Sequence, residues 1–178
     1  MIIARRGLWN HQNKVIGIIR ISSYTPVVIV DVMKNSKGVL VLCNNIDNVD
    51  DNNDTLEELC NVEERLHIIL EIKKNLATDV LQIIKGSKHE WELCSYDYRC
   101  VKDLCKLSGY KVGLVATSAP HSSILSSIDF VSQDYNFYSP ELLELYKKHN
   151  LDVYIFNTQT EVDGVDGIIK NILLDILI

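Results

Sequence analysis

Short runs of consecutive apolar residues recur along the chain, and most are followed by segments whose apolar residues are three or four positions apart. Runs of the first kind are typical of strands buried on both faces of a parallel sheet, and the wider spacing is typical of amphipathic helices. The pattern predicts an opening strand from Ile2 and further strands over 27–32, 66–73, 91–95, 112–116, 128–131, 153–156 and 167–169. It predicts helices over 15–19, 76–85, 98–107 and 140–149, and a short helix opened by a capping box at 54–57.

One apolar run interrupts the alternation of strand and helix. Residues 39–43 follow the second predicted strand after the turn sequence Asn35-Ser36-Lys37-Gly38, which predicts a return strand and a small hairpin-like arm. Eight strands remain when this return strand is left out, and eight is the number in a closed (β/α)8 barrel. The predicted fold is therefore α/β: a compact (β/α)8 TIM-type barrel that occupies residues 1–178 as a single domain.

The chain is short for this architecture, because such barrels take roughly 200 residues or more. Segments 44–64 and 157–165 leave room for only a small helix and a turn, so the predicted barrel has trimmed helices. An open doubly wound sheet is the competing architecture. It requires helices on both faces of the sheet, and the late segments are too short to supply them.

Composition narrows the class of protein without indicating a function. With 47% hydrophobic residues, 24% charged residues and a formal net charge of −6, the chain resembles an ordinary globular domain, and nothing favours binding to nucleic acid. No apolar run reaches the roughly 18 residues of a membrane span, and no signal-peptide pattern follows Met1. The five cysteines match no metal motif, which predicts reduced thiols and a cytoplasmic location.

The residues that could carry chemistry lie in short motifs near the predicted strand ends, where α/β barrels build their active sites. In order, the motifs are Arg5-Arg6-Gly7, His11-Gln12-Asn13, Ile29-Val30-Asp31, Asn44-Asn45, Leu70-Glu71-Ile72-Lys73, Ser95-Tyr96-Asp97 and Gly164-Val165-Asp166-Gly167-Ile168-Ile169. This order resembles that of the glycerophosphodiester phosphodiesterase family, whose pattern runs from His-Arg-Gly through Pro-Glu-Asn, Glu-x-Asp, His-Asp and Leu-Glu-Ile-Lys to Gly-Val-Asp-Gly-Ile-Ile. The resemblance spans nearly the whole chain, and the motifs at 70–73 and 164–169 match intact.

The resemblance implies both a fold and a chemistry. Members of the family, which belongs to lipid metabolism, are (β/α)8 barrels with an arm after the second strand, and they cleave glycerol phosphodiesters. A divalent metal held by the carboxylates of the Glu-x-Asp and Glu-x-Lys motifs stabilises the charge that develops on the phosphate. The histidines of the His-Arg-Gly and His-Asp motifs act as general acid and base.

Several positions that the resemblance marks as catalytic are substituted in this chain. The two histidine positions hold Arg5 and Asn44, neither of which titrates near neutral pH, and one metal carboxylate position holds Ile29. Loss of a general acid or base removes about 10²–10⁴-fold in rate for each group. The resemblance therefore implies a catalytically degenerate member of the family, a pseudoenzyme.

Other residues of the family's motifs remain in place, namely Arg6, Asn13, Asp31, Glu71 and Lys73. Asp31 and Glu71 are the candidate metal ligands, for Mg²⁺ or Ca²⁺ at most weakly held. We expect no cofactor and expect Arg5 to take the metal's place, with its guanidinium paired to Asp31 or Glu71. Arg5, Arg6 and Lys73 are the candidates for binding a phosphate or glycerophosphodiester without cleaving it. The competing interpretation is a paired charge cluster that only closes the barrel end.

Two further interpretations stay open. The chain is either an active hydrolase that recruits other groups, such as His11 after the first strand, or a non-enzymatic structural or interaction module. The apolar residues within the tail 168–178 either complete the barrel wall or form a contact between two copies of the chain. Tyr135, Phe137 and Tyr138 either stack on a ligand or pack under their own loop.

Overall fold

The computed structural model describes residues 1–8, 13–45, 47, 49–50 and 52–172. Their strands are β1 Ile2–Leu8, β2 Val27–Lys34, β3 Leu40–Leu42, β4 His67–Ile72, β5 Glu90–Ser95, β6 Lys111–Ala116, β7 Phe130–Asp134, β8 Asp152–Phe156 and β9 Gly167–Ile172. Their helices are α1 Val15–Ser22, α2 Leu56–Cys60, α3 Ala77–Ile84, α4 Tyr98–Leu107, α5 Ser122–Leu125 and α6 Pro140–Lys148. None of these helices is long and apolar enough to cross a membrane.

Eight of the strands form a closed barrel. β1 lies parallel to both β2 and β9, and parallel pairs join β2, β4, β5, β6, β7, β8 and β9 in that order. Because β1 closes the ring, the sheet is not the open doubly wound one, and the predicted compact (β/α)8 barrel is confirmed.

The predicted arm is present as a hairpin at the end of the second strand. β3 pairs antiparallel with the C-terminal residues of β2, with Val32 opposite Leu42 and Lys34 opposite Leu40. Gly38 supplies the turn with a φ of +82°, a conformation that residues with a Cβ adopt only with strain. The arm therefore projects from the same end of the barrel at which β2 terminates.

The outer layer of helices is thin, as the short connections predict. α2 and α5 have five and four residues, and the described segment 157–166 between β8 and β9 contains no helix. α5 was not predicted, because a helix of one turn has no apolar period to detect. The seventh strand also ends three residues later than predicted, at 134 instead of 131.

The capping box before α2 lies one residue later than predicted. The hydroxyl of Thr55 accepts the N–H of Glu58 at 3.1 Å, and the Glu58 carboxylate accepts the N–H of Thr55 at 2.6 Å. Asp54 instead accepts the N–H of Val15 at 2.7 Å and so caps the N-terminus of α1 from a distant loop. Asp54 and Thr55, which are neighbours in the sequence, therefore cap two different helices, α1 and α2.

Apolar side chains fill two layers, one between the strands and the helices and one inside the barrel. The inner layer consists of Ile3, Val27, Ile29, Ile69, Cys94, Val115, Phe130, Tyr154, Phe156 and Ile169. Its filling depends on a glycine, since a Cβ on Gly113 would lie 2.2 Å from the Phe130 ring. The interior is therefore packed rather than an open channel, and polar groups are confined to its two ends.

Candidate functional site

The side chains that the motifs single out meet at one rim of the barrel because of the strand register. Asp31 of β2 is the neighbour of Glu71 of β4, and Arg5 of β1 is the neighbour of Ile29 of β2. Glu71 is the last residue but one of β4, so Asp31 beside it lies near the C-terminal rim, and Ile29 and Arg5 lie one inward-facing position below. This rim is the mouth of the barrel, and it is where the predicted site lies.

Asp31 and Glu71 share one ammonium group. Lys73 Nζ lies 2.7 Å from Asp31 Oδ1 and donates a hydrogen bond to Glu71 Oε1. Arg6 Nε donates to the other oxygen of Asp31, Oδ2, at 2.5 Å. The carboxylate side chains are only 3% and 5% exposed. Two buried anions and two cations therefore form a compact neutral cluster, as buried charges require.

Arg6 reaches this cluster because β1 is irregular near its end. Consecutive side chains of a regular strand point to opposite faces, so Arg5 and Arg6 would not both face the mouth. However, Arg6 and Gly7 have φ values of +61° and +80°, and the register between β1 and β9 shifts between Ala4 and Leu8. A bulge of this kind redirects a side chain, and positive φ in an arginine is a strained conformation. The strain places both guanidinium groups at one rim.

Asn13 holds the other side of Asp31. Its Nδ2 donates to Asp31 Oδ2 at 3.3 Å, and its Oδ1 accepts the backbone N–H of Asp31 at 3.2 Å. Its own N–H donates to the carbonyl oxygen of Arg6 at 2.8 Å. Asn13 is buried and has a φ of +52°. This motif residue therefore acts by fixing the orientation of Asp31 and of the strained end of β1.

Burial and charge move the pKa values in the cluster in different directions. Burial acts to raise the pKa of Asp31, but Lys73 and Arg6 outweigh burial and hold this pKa below its usual value. Burial, and then the negative charge of Asp31, raise the pKa of Glu71. Burial acts to lower the pKa of Lys73, but Glu71 and Asp31 outweigh it and raise this pKa. Lys73 is therefore a cation throughout the neutral range.

Arg5 differs from the other cations at the mouth because it has no carboxylate partner. Its guanidinium carbon lies 5.7 Å from the centroid of the Phe156 ring, and Arg5 forms no ion pair with any described residue. The prediction that Arg5 pairs with Asp31 or Glu71 is therefore wrong. Lys73 takes this place because it follows Glu71 by two positions, which directs both side chains to the same face.

Arg5 forms a wall between two depressions in the mouth. One has a cavity volume of only about 10 Å³ and is lined by Arg5, Ile29, Glu71, Tyr96, Val115, Ser132, Phe156 and Ile169. The other has a cavity volume of about 140 Å³ and is lined by Arg5, Asn157, Thr158, Gln159, Ile169, Lys170 and Asn171. An anion of the size of a phosphate group can therefore approach the guanidinium from the second depression, outside the cluster.

The donor set does not fit the divalent metal that the family resemblance implies. Mg²⁺ and Ca²⁺ take about six or more oxygen ligands, and the mouth offers two carboxylates beside the buried apolar side chain of Ile29. No group of three or more metal-ligating side chains occurs in the described part of the chain. Lys73 and Arg6 already contact both carboxylates, so a divalent ion would adjoin two cations where solvent screens little.

Some predicted residues lie at the edge of the site or beyond the described part of the chain. Asn44 follows β3 close to the mouth, since the N–H of the preceding Cys43 donates to the carbonyl oxygen of Asp31 at 3.1 Å. His11 lies outside the described residues, and so do residues 173–178 of the predicted tail. Recruitment of His11 and a contact between copies through the tail stay predictions.

Two aromatic residues of the mouth were not predicted as site residues. Lys73 Nζ lies 5.4 Å from the centroid of Tyr96, and Phe156 lies under Arg5. Tyr96 directly follows β5 within a recognised motif, so the argument from strand ends that singles out Glu71 also applies to it. Phe156 ends an apolar strand, and nothing in its sequence neighbourhood distinguishes it from a core residue.

The chain matches no protein-family model and no curated protein. Solved structures do match it. A glycerophosphodiester phosphodiesterase from Parabacteroides distasonis has a TM-score of 0.78 at 19% identity, covering 94% of this chain and 91% of that one. A phosphodiesterase from Oleispira antarctica, in complex with the product sn-glycerol-3-phosphate, has a TM-score of 0.77 at 14% identity, covering 95% and 92%. The chain has the fold of these glycerophosphodiester phosphodiesterases.

A third solved structure gives the same result. The glycerophosphodiester phosphodiesterase from Thermotoga maritima has a TM-score of 0.71 at 18% identity, and the match covers 94% of this chain and 92% of that one. The shared coverage extends over nearly the full length of both chains. The similarity therefore concerns the whole barrel rather than one βα unit.

Proposed function

We propose that this chain is a catalytically inactive relative of the glycerophosphodiester phosphodiesterases that binds a phosphate ester at the barrel mouth without cleaving it. The observation that carries the proposal is the set of contacts around the Arg5 side chain. Arg5 has no ion pair among the described residues, it lines both depressions of the mouth, and it stands beside a cluster whose charges already balance.

The charge of the mouth supports anion binding. Lys73 and Arg6 neutralise Asp31 and Glu71, so an incoming phosphate does not meet two uncompensated carboxylates. Arg5 adds one positive charge beside them. A guanidinium binds phosphate oxygens through two parallel N–H groups, which gives orientation as well as attraction. The relative from Oleispira antarctica holds sn-glycerol-3-phosphate, which makes a glycerol phosphate ester the first ligand to try.

The chemistry of the same residues supports the absence of turnover. The positions that the family resemblance assigns to proton transfer hold Arg5 and Asn44, and neither side chain releases or takes up a proton near neutral pH. In the place of a metal, Lys73 supplies a fixed charge with no coordination position for an attacking water. The mouth therefore attracts a phosphate ester but offers no group to protonate its leaving oxygen.

Binding is tested by calorimetric titration with sn-glycerol-3-phosphate. The wild-type chain is expected to bind it, and Arg5→Gln is expected to weaken binding by on the order of tenfold or more, the usual loss for a charge-assisted hydrogen bond. Arg20→Gln is the matched control, since Arg20 is an exposed arginine on α1, away from the mouth. Absence of heat from the wild-type chain at millimolar ligand, or equal effects of the two variants, overturns the binding proposal.

Turnover is tested separately, with glycerophosphocholine in the presence of Mg²⁺ or Ca²⁺. The expected result is no release of glycerol phosphate above the rate without protein. Release that disappears in Glu71→Gln would instead establish the alternative, a metal-dependent hydrolase with non-standard residues. Binding and turnover are measured on the same preparation, so a silent assay cannot be explained by an unfolded protein.

A further inference from the structure

Exposed aromatic rings are concentrated at the mouth. The described aromatic side chains with large exposure are Tyr24, Tyr96, Tyr98, Tyr135 and Phe137, at 57%, 39%, 40%, 40% and 55%. All except Tyr24 lie within three residues after the C-terminal end of a barrel strand, β5 or β7. Scattered exposed rings are ordinary, but several rings on one rim indicate a contact surface.

A buried carboxylate fixes the turn that exposes two of these rings. Asp134, at the end of β7, accepts the N–H and the side-chain amide of Asn136, both at 2.9 Å. Its second oxygen accepts the amide of Asn157 at 2.9 Å. Asn136 stands between Tyr135 and Phe137, so these bonds hold the turn in a shape that turns both rings outward. Phe137 is the more exposed of the two, whereas the Tyr135 ring stacks on Tyr138 of the same loop with 6.1 Å between the ring centroids, and Tyr138 packs against the core.

Two cations lie on the same side of the barrel as these rings. Arg5 in the pocket and Lys74 on the surface after β4 form no ion pair with a described residue. Tyr96 connects the two features, because its ring lines the pocket of Arg5 and is itself 39% exposed. Tyrosine and phenylalanine favour the boundary between hydrocarbon and water, and cations favour the phosphates at that depth.

We infer that the mouth docks on a phospholipid surface, with the phosphate of a lipid headgroup at Arg5 and the rings of Tyr96, Tyr98, Tyr135 and Phe137 among the headgroups. The inference rests on the proposed function, and it makes the source of the phosphate a lipid rather than a soluble ester. The net charge of −6 opposes a general attraction to anionic surfaces. Docking therefore requires this face, and no other, to turn toward the lipid.

Sedimentation with phosphatidylcholine vesicles that contain phosphatidic acid tests the inference. The wild-type chain is expected to sediment with these vesicles. The double variant Tyr135→Ser/Phe137→Ser is expected to lose affinity for them by on the order of tenfold or more, from the loss of two exposed rings at the interface. Tyr24→Ser is the matched control, because its ring is equally exposed at the opposite end of the barrel. The same variants are titrated with sn-glycerol-3-phosphate by calorimetry.

Sedimentation and calorimetry together separate docking on lipid from the proposed binding of a phosphate ester. Loss of vesicle binding in the double variant, with glycerol phosphate binding unchanged, supports docking. A wild-type chain that binds glycerol phosphate but stays in the supernatant overturns docking and leaves the proposed function standing. Equal sedimentation of the double variant and Tyr24→Ser also overturns it. A chain that binds neither ligand removes both proposals.

Discussion

At the mouth of the barrel, two buried carboxylates are neutralised by the permanent cations Lys73 and Arg6, whereas at the opposite end one buried carboxylate, Glu92, relies on a histidine. His67 Nε2 lies 3.0 Å from Glu92 Oε1, and the Tyr154 hydroxyl lies 3.4 Å from Oε2. Lys111 is farther away, at 3.9 Å, and is 55% exposed. We call this second group, His67, Glu92, Lys111 and Tyr154, the floor of the barrel.

Both ends of the barrel bury carboxylates, but their counterions differ in how their charge depends on pH. A carboxylate that loses its counterion in a poorly solvated site is strongly destabilising. At the mouth the counterions keep their charge over the whole physiological range. At the floor the nearest counterion, His67, is charged only when protonated. The hydrogen bond with Glu92 raises the pKa of His67 and outweighs burial, which acts to lower this pKa. The counterions of the mouth therefore keep their charge over this range, whereas the histidine of the floor does not.

Replacing the shared cation of the mouth is expected to have the largest effect. Lys73→Met leaves Asp31 and Glu71 side by side with one cation fewer, and the free energy of unfolding is expected to fall by about 3–5 kcal/mol, the loss typical of a broken buried pair. Lys111→Met is the control at the floor. Because Lys111 is half exposed, its removal is expected to cost at most about 1 kcal/mol. Urea unfolding at neutral pH measures both variants.

The comparison fails if the two lysine variants are equally stable. If Lys73→Met does not fold at neutral pH, its stability in mild acid still tests the comparison. Burial and the charge of Asp31 raise the pKa of Glu71, so mild acid adds a proton there and relieves the repulsion. Lys73→Met is therefore expected to recover part of the stability that it has lost relative to the wild-type chain as the pH is lowered from neutral.

The cluster at the mouth could be predicted from the sequence because its parts obey simple rules. Glu71 and Lys73 are two positions apart at the end of an apolar run, which places them on one face at one rim. The partner of Arg6 could not be predicted in the same way. Its direction depends on positive φ at Arg6 and Gly7, and in a regular strand the Arg6 side chain would point to the face opposite that of Arg5.

The sequence also contains an indication of the floor, which lies outside the family's motifs. Glu92 lies in the middle of a buried strand, between Trp91 and Leu93, and a charged residue in such a place needs a partner. Finding that partner requires the register in which His67 of β4 stands near β5, and register depends on the three-dimensional closure of the barrel. Motifs therefore locate strand ends, while pairings across strands have to come from the structure.

The pH dependence of stability is expected to separate the floor from the mouth. The pKa of His67 is higher in the folded chain than its usual 6.5, so the folded chain binds a proton that the unfolded chain releases. Its stabilising effect is complete below about pH 6.5 and is lost as the pH rises through the folded pKa. Between about pH 6 and pH 8, the stability difference between wild type and His67→Gln is expected to shrink, by at most about 1.4 kcal/mol per pH unit.

Glu92→Gln identifies the source of that dependence. Without this carboxylate, burial and Lys111 still lower the pKa of His67 and only Glu90 raises it, so in a Glu92→Gln background the effect of His67→Gln is expected no longer to shrink over the same range. If the stability difference between wild type and His67→Gln grew rather than shrank with rising pH, burial and not Glu92 would determine the pKa of His67.

The smallest expected effect on stability belongs to Arg5, the residue with the largest expected effect on ligand binding. Arg5→Gln breaks no ion pair among the described residues and removes the contact with the Phe156 ring and a longer-range attraction to Glu71, so the free energy of unfolding is expected to change by less than about 1 kcal/mol. Urea unfolding of Arg5→Gln beside Lys73→Met measures the contrast. A loss as large as that of Lys73→Met would make Arg5 a structural counterion of Glu71. A small loss together with weakened glycerol phosphate binding would mean that the mouth holds one cation more than its own folding requires, which is the property of a binding site.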